Sequence, residues 1–156
     1  MEKNHNYYLK LAFENAKVNL GKTRMNPSVG CVIVKNDSVI SSGRTSISGR
    51  PHAEVNAFRN KKNLKDADLY VTMEPCTHYG ITPPCTNLIV KKGIKRVFFS
   101  SDDFDIRTAN LAKKKLIKRN VKVYKKTQND FATFYQSYFI NKKRLDPYID
   151  AKIAVS

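Results

Sequence analysis

Apolar residues recur at helical spacing near the start of the chain. Leu9, Ala12, Phe13, Ala16 and Leu20 share one face, which predicts an amphipathic helix ending near Gly21. The turn-rich stretch Arg24-Met25-Asn26-Pro27-Ser28 follows. The apolar run at 29–34 predicts a buried strand, and Asn36-Asp37 predicts a hairpin turn into a second strand at 38–42. Positions 43–50 are polar and predict a loop. Beyond them the pattern alternates between the two periods. It predicts a helix at 53–60, a strand at 69–73, a helix at 85–92 stopped by Gly93, and a strand at 96–100. A Lys-studded helix at 108–119, a strand at 121–123 and an amphipathic helix at 131–143 complete it. A hairpin followed by alternating helices and strands predicts an α/β fold, a mixed central sheet with helices on both faces. The stretch 147–156 predicts one more strand, and a chain that stops inside a strand is expected to continue beyond Ser156 in the native protein.

Length and composition narrow the setting. A chain of 156 residues suits one domain, or one domain with a fragment of a second. Its 41% hydrophobic and 27% charged residues exclude a disordered polymer. Apolar runs such as 29–34 are far shorter than the roughly 20 residues of a membrane span. The start, Met1-Glu2-Lys3-Asn4-His5, has no apolar signal segment behind it. Three cysteines, an odd number, argue against a disulfide framework. A cytoplasmic location and no membrane partner are therefore expected. The net charge is +16, and residues 91–144, with 16 basic and 4 acidic side chains, account for most of it. Such a charge attracts RNA, DNA or a phosphorylated metabolite. The runs Lys113-Lys114-Lys115, Lys125-Lys126 and Lys142-Lys143 nevertheless read as solvated helix faces and strand ends. No nucleic-acid-binding signature organises them, so nucleic acid is not the expected partner; a small molecule and a homo-oligomeric assembly are.

The chemistry concentrates in four residues: His52, Glu54 two positions on, Cys76 and Cys85. Histidine and cysteine are the usual zinc ligands, and three protein ligands with one open position mark a catalytic rather than a structural site. Each ligand follows a proline (Pro51, Pro75, Pro84), a residue favoured at the first position of a helix, which predicts ligands at helix N-termini. Residues two apart on a helix do not share a face, so His52 and Glu54 converge only if His52 sits at the helix entry. Two thiolates and a neutral imidazole cancel the charge of one zinc, and Glu54, not needed as a ligand, is placed to carry protons. A His-x-Glu followed by Pro-Cys and a second Cys is the signature of zinc deaminases. Taken singly, each residue has a plainer reading: a surface histidine, a buried small thiol, a glutamate early in a helix. Cys31, mid-strand, is expected to be core packing, and His5 to lie in a fraying terminus. His78, close to the metal loop, is a candidate substrate contact.

Three segments carry a resemblance. They are Asn26-Pro27-Ser28-Val29-Gly30-Cys31-Val32-Ile33-Val34, then Pro51-His52-Ala53-Glu54-Val55-Asn56-Ala57, then Met73-Glu74-Pro75-Cys76 through Pro83-Pro84-Cys85. Together they resemble the deaminase domain of the bacterial RibD family of riboflavin biosynthesis. Most zinc deaminases acting on cytosine or adenine place two residues between their cysteines. Here eight residues separate Cys76 from Cys85, a longer loop that is similar to those of the riboflavin-pathway enzymes. The resemblance implies a three-layer α/β/α, cytidine-deaminase-like fold over residues 1–146, with 147–156 as the first strand of a reductase-like domain that uses NADPH. It implies hydrolytic deamination of 2,5-diamino-6-ribosylamino-4(3H)-pyrimidinone 5′-phosphate with release of ammonia. By matching positions, His52, Cys76 and Cys85 would hold one Zn2+, Glu54 would transfer protons and Asn26 would contact the pyrimidine.

Two positions and one loop depart from that family. Ile81 stands where members usually carry the Lys or Arg associated with the substrate phosphate, and Thr45 where a histidine is often found. Asp103-Phe104-Asp105-Ile106 replaces the usual Asp-Pro-Asn-Pro loop, and Asp103 is counted with Asn26 and His78 among the expected substrate contacts. A phosphate contact is then expected from Arg44, Arg50 or Arg107. The alternatives are a zinc deaminase for another pyrimidine or purine, and a basic RNA-binding or scaffold protein that keeps the fold; an intact Glu54 speaks against the last.

Overall fold

The computed structural model describes residues 4–61, 63–105, 107–127 and 129–144. The expected strand at 147–156 and Ile106 lie outside the described residues. Helix α1 (His5–Lys17) opens the fold, and strands β1 (Gly30–Lys35) and β2 (Ser38–Arg44) form the expected hairpin. Asn36 and Asp37 both adopt positive φ (50° and 59°), the geometry of a tight turn whose twist matches the flanking strands. Then come α2 (Ala53–Phe58), β3 (Asp68–Met73), α3 (Cys85–Lys91), β4 (Arg96–Ser101), α4 (Ala112–Ile117), β5 (Lys122–Lys125), α5 (Asn129–Phe134) and α6 (Gln136–Arg144). The sheet order is β2-β1-β3-β4-β5. β1 is antiparallel to both neighbours, while β3, β4 and β5 run parallel. The mixed sheet expected from the pattern is therefore present.

The alternation of side chains along β1 sorts the helices into layers. Cys31 and Ile33 pack with Ala53, Ala57 and Phe58 of α2, with Ile89 of α3 and with Leu116 of α4. Val32 and Val34 face the other way, onto Tyr8, Leu9 and Ala12 of α1. Phe131 of α5 joins Phe13 of α1 on that same side. Cys31 is fully buried, a core residue as expected. Central strand β3 is buried throughout, and its one carboxylate, Asp68, is held by both Nε (2.6 Å) and Nη2 (2.5 Å) of Arg96. Among the described residues no helix is long and apolar enough to cross a membrane.

Two glycines set how closely helices approach the sheet. A Cβ on Gly30 would lie 2.0 Å from the Ala12 carbonyl oxygen and 2.6 Å from the Ala16 nitrogen. On the opposite face, a Cβ on Gly43 would meet the Ala53 carbonyl oxygen at 2.3 Å. These are backbone atoms and cannot swing away. Gly30→Ala is expected to push α1 off β1, with an overpacking cost of about 1–3 kcal/mol. At roughly 2–4 °C per kcal/mol for a chain of this size, a thermal melt should show Tm lower by about 2–12 °C. An unchanged Tm would mean that α1 does not pack this tightly.

Several expectations are corrected. β2 extends to Arg44, and the polar loop contains a short 3-10 turn, Ile47–Gly49. The helix expected over 108–119 begins only at Ala112, because Asn110 adopts positive φ (61°) and the Glu74 carboxylate accepts the N–H groups of Asn110 and Ala112, both at 3.0 Å. The helix expected over 131–143 is interrupted at Tyr135, whose buried hydroxyl pairs with Thr72 Oγ1 (2.6 Å) and donates to the Ser28 carbonyl (3.0 Å). His5 is not frayed. It stacks on Phe98 with ring centroids 4.2 Å apart, and its Nδ1 lies 2.8 Å from the Tyr70 hydroxyl.

Candidate active site

His52 is the N-cap of α2, in extended conformation (φ −67°, ψ 162°), and Glu54 lies in the first turn of the same helix. This is the entry geometry that two residues at i and i+2 need in order to converge. Cys85 is the first residue of α3, with Pro84 as its N-cap. The prolines thus sit earlier than expected, Pro84 one step before the first helical position and Pro51 two steps before it. Cys76 is not at the start of any helix; it lies in the loop after β3. Even so, its Sγ accepts the backbone N–H of Cys85 at 3.2 Å, and its carbonyl accepts the Thr86 N–H at 3.2 Å. The eight-residue loop therefore folds back so that the first turn of α3 supports both thiols.

The three candidate ligands form a compact triangle. His52 Nδ1 lies 3.7 Å from Cys76 Sγ and 3.6 Å from Cys85 Sγ, and all three ligand atoms are within 4.8 Å of one another. A tetrahedral zinc with Zn–S bonds of about 2.3 Å and a Zn–N bond of about 2.0 Å requires N···S separations of about 3.5 Å. The donor set and its spacing fit zinc, with Nδ1 as the histidine ligand. A mixed imidazole–thiolate set also suits zinc rather than magnesium or calcium, which take oxygen ligands.

The protein groups of the triangle perturb one another. The contact with Cys85 holds the Cys76 thiol down to about 4, and His52 adds to this; burial opposes it. Cys85, the partner thiol, is pushed well up by Cys76 and by burial. His52 is raised, first by its contact with Cys76. Glu54, 4% exposed, is raised by burial and by the Cys76 charge, with a charged His52 opposing.

Two members of the triangle, His52 and Cys76, line a cavity of about 290 Å3 together with Glu54, Asn26, His78, Asp103, Arg50 and Arg107. These expected site residues come from four separate segments, the loop before β1, the entry of α2, the loop after β3 and the loop after β4. Asn26 is seated against Gly49 (φ +90°), where a Cβ would lie 2.4 Å from Asn26 Nδ2. His78 Nδ1 pairs with Thr108 Oγ1 at 3.0 Å. Asp103 Oδ1 accepts the Asp105 N–H (2.9 Å) and the Tyr138 hydroxyl (3.2 Å). Arg107 binds the Asp105 carboxylate through Nε (2.8 Å) and Nη2 (2.5 Å). Arg44 is the exception: it lines a separate hollow with Asn19, Ser46 and Asn56, away from the cavity. Thr45, in place of a histidine, staples the loop carrying Asn26 by accepting the Val29 N–H (2.9 Å) and donating to the Pro27 carbonyl (3.1 Å).

Three cavity residues escaped the sequence reading. Glu74 is buried, and besides capping α4 its carboxylate accepts the Asp103 N–H at 3.4 Å, tying the metal loop to the 103–112 segment. The only local signal was an acid directly between an apolar strand and Pro75-Cys76. Tyr138 and Asp105 also line the cavity, and no local pattern marks either.

Residues 2–101 match the model of the cytidine and deoxycytidylate deaminase zinc-binding region. The chain is 40% identical over 152 residues to the riboflavin biosynthesis protein RibD of Bacillus amyloliquefaciens, covering 96% of this chain but 41% of that protein. It is 44% identical over 98 residues to the diaminohydroxyphosphoribosylamino-pyrimidine deaminase of Buchnera aphidicola, covering 62% of this chain and 67% of that one. The RibD structure from Acinetobacter baumannii superposes with a TM-score of 0.85 at 37% identity, over 92% of this chain and 41% of that chain. The chain thus spans about two fifths of the length of these RibD proteins. The three-layer α/β/α fold is the cytidine-deaminase-like one, the expected resemblance to RibD holds over most of the chain, and the protein belongs to the zinc-binding cytidine and deoxycytidylate deaminase family.

Proposed function

We propose that the protein is a zinc-dependent deaminase of riboflavin biosynthesis. In this reading it converts 2,5-diamino-6-ribosylamino-4(3H)-pyrimidinone 5′-phosphate to the corresponding pyrimidinedione and ammonia. The observation that carries this reading is the His52–Cys76–Cys85 triangle, two of whose members line a cavity with the buried Glu54. The RibD relatives supply the substrate class.

Each residue has a part. His52, Cys76 and Cys85 would hold the metal. Bound zinc would supply the Lewis acidity that makes water nucleophilic near pH 7. Glu54 would accept one proton of the attacking water at a carboxylate oxygen and pass it to a ring nitrogen, then carry the remaining hydroxyl proton to the departing amine. The net change is hydrolytic: a C–N bond breaks, a C–O bond forms, one water is consumed and ammonia leaves. Asn26 and Asp103 are placed to orient the pyrimidine edge. NADPH has no part in this step. Its use belongs to a reductase-like region beginning at 147–156, a reading supported by the greater length of the RibD relatives.

The test is ammonia release from the phosphorylated diaminopyrimidine by the zinc-loaded chain, with and without NADPH. Turnover at the same rate in both mixtures is expected. No ammonia from this compound, with release from a different aminopyrimidine or purine, would transfer the activity to that substrate.

A further inference from the structure

Among the described residues two arginines line the cavity, and they differ in what they already hold. Arg107 is bound at two nitrogens to the Asp105 carboxylate, so its charge is matched. Arg50 has no carboxylate partner among the described residues, and its Nη1 donates to the Thr82 hydroxyl at 3.1 Å. Gly80 leaves the space beside it open. A Cβ there would lie 3.3 Å from Arg50 Nη2 and 4.0 Å from His78 Nε2, so guanidinium and imidazole flank the same gap. The Nδ1 of His78 is occupied by Thr108, which leaves Nε2 on the Gly80 side. Ile81, 86% exposed, brings no charge to this edge.

The cavity lining also carries four carboxylates, Glu54, Glu74, Asp103 and Asp105, of which Asp105 is paired with Arg107. A dianion is repelled by those carboxylates and settles at the edge, beside Arg50, which among the described residues has no acidic partner. A guanidinium suits this task because its forked donors meet two phosphate oxygens at once.

We propose that Arg50, steadied by Thr82 and placed beside His78, binds the phosphate monoester of the substrate and sets the preference for the phosphorylated form. This rests on the deaminase reading above and deepens it. It excludes Arg44, which lies outside the cavity, and Arg107, which is committed to Asp105.

The experiment compares kcat/KM for the phosphorylated diaminopyrimidine and for its dephosphorylated form, in the zinc-loaded parent and in Arg50→Ala. The ratio of the two values is expected to fall roughly 10–150-fold, the loss of one charge-assisted hydrogen-bonded contact. Arg50→Lys, which keeps the charge but not the fork, should give an intermediate ratio. It carries the test if Arg50→Ala fails to retain zinc. An unchanged ratio in both variants overturns the proposal, as does a selective loss in Arg107→Ala with none in Arg50→Ala. A parent that deaminates both forms equally well also overturns it while leaving the deaminase reading intact. A parent that deaminates neither form overturns the reading itself.

Discussion

Glu54→Gln is expected to lower kcat by about 10²–10⁴-fold, the usual value of a positioned acid–base group, while zinc content and Tm stay close to the parent's. Glutamine fills the same buried volume in the first turn of α2 but cannot accept and return a proton. Glu54 is held by its helix beside the His52–Cys76–Cys85 triangle, so the substitution leaves the ligands in place. Steady-state kinetics with metal analysis on the same preparation check this. Turnover within a few fold of the parent would assign proton transfer to another group. Loss of zinc along with activity would instead give Glu54 a part in holding the metal.

Cys85→Ala is expected to reduce zinc from about one per chain to near zero, and to abolish deamination. Three ligands from three segments, the entry of α2, the loop after β3 and the start of α3, must all be present to close the site. Because the metal joins these segments, it also stabilises the fold. Free zinc at about 100 times its Kd adds about 2.7 kcal/mol. At roughly 2–4 °C per kcal/mol, chelation should lower the parent's Tm by about 5–10 °C and leave that of Cys85→Ala unmoved. A variant that still binds one zinc per chain would remove Cys85 from the ligand set. A parent indifferent to chelator would mean that the site does not couple to folding.

The local pattern already contained the layers. Helical periodicity in the first 20 residues, the Asn36-Asp37 turn and the alternation of apolar runs are short-range features, and the structure follows each within a few residues. Boundaries were less legible where a distant group intervened. The start of α4 depends on Glu74, a residue 38 positions from Ala112, whose carboxylate competes for the N–H groups a longer helix would have used. The break at Tyr135 coincides with a hydroxyl that reaches Thr72, 63 positions away. His5 gave no local sign of order, because Tyr70 and Phe98, the residues that hold it, belong to β3 and β4.

The sequence by itself determined the chemistry and the layer plan, because ligand identity, the His-x-Glu spacing and side-chain periodicity are properties of neighbouring residues. Only the tertiary structure decided which of the remaining polar residues share the cavity with that chemistry. Arg44, Arg50 and Arg107 look alike in sequence, yet one faces a different hollow, one is neutralised by Asp105 and one is left beside the gap at Gly80. Glu74, just past the end of β3, and Tyr138 of α6 line the same cavity although 64 positions separate them in sequence. The physical reason is that a charge is defined by its surroundings. Whether a guanidinium is available to a ligand depends on the carboxylates that folding brings within reach, and no local spacing encodes that distance.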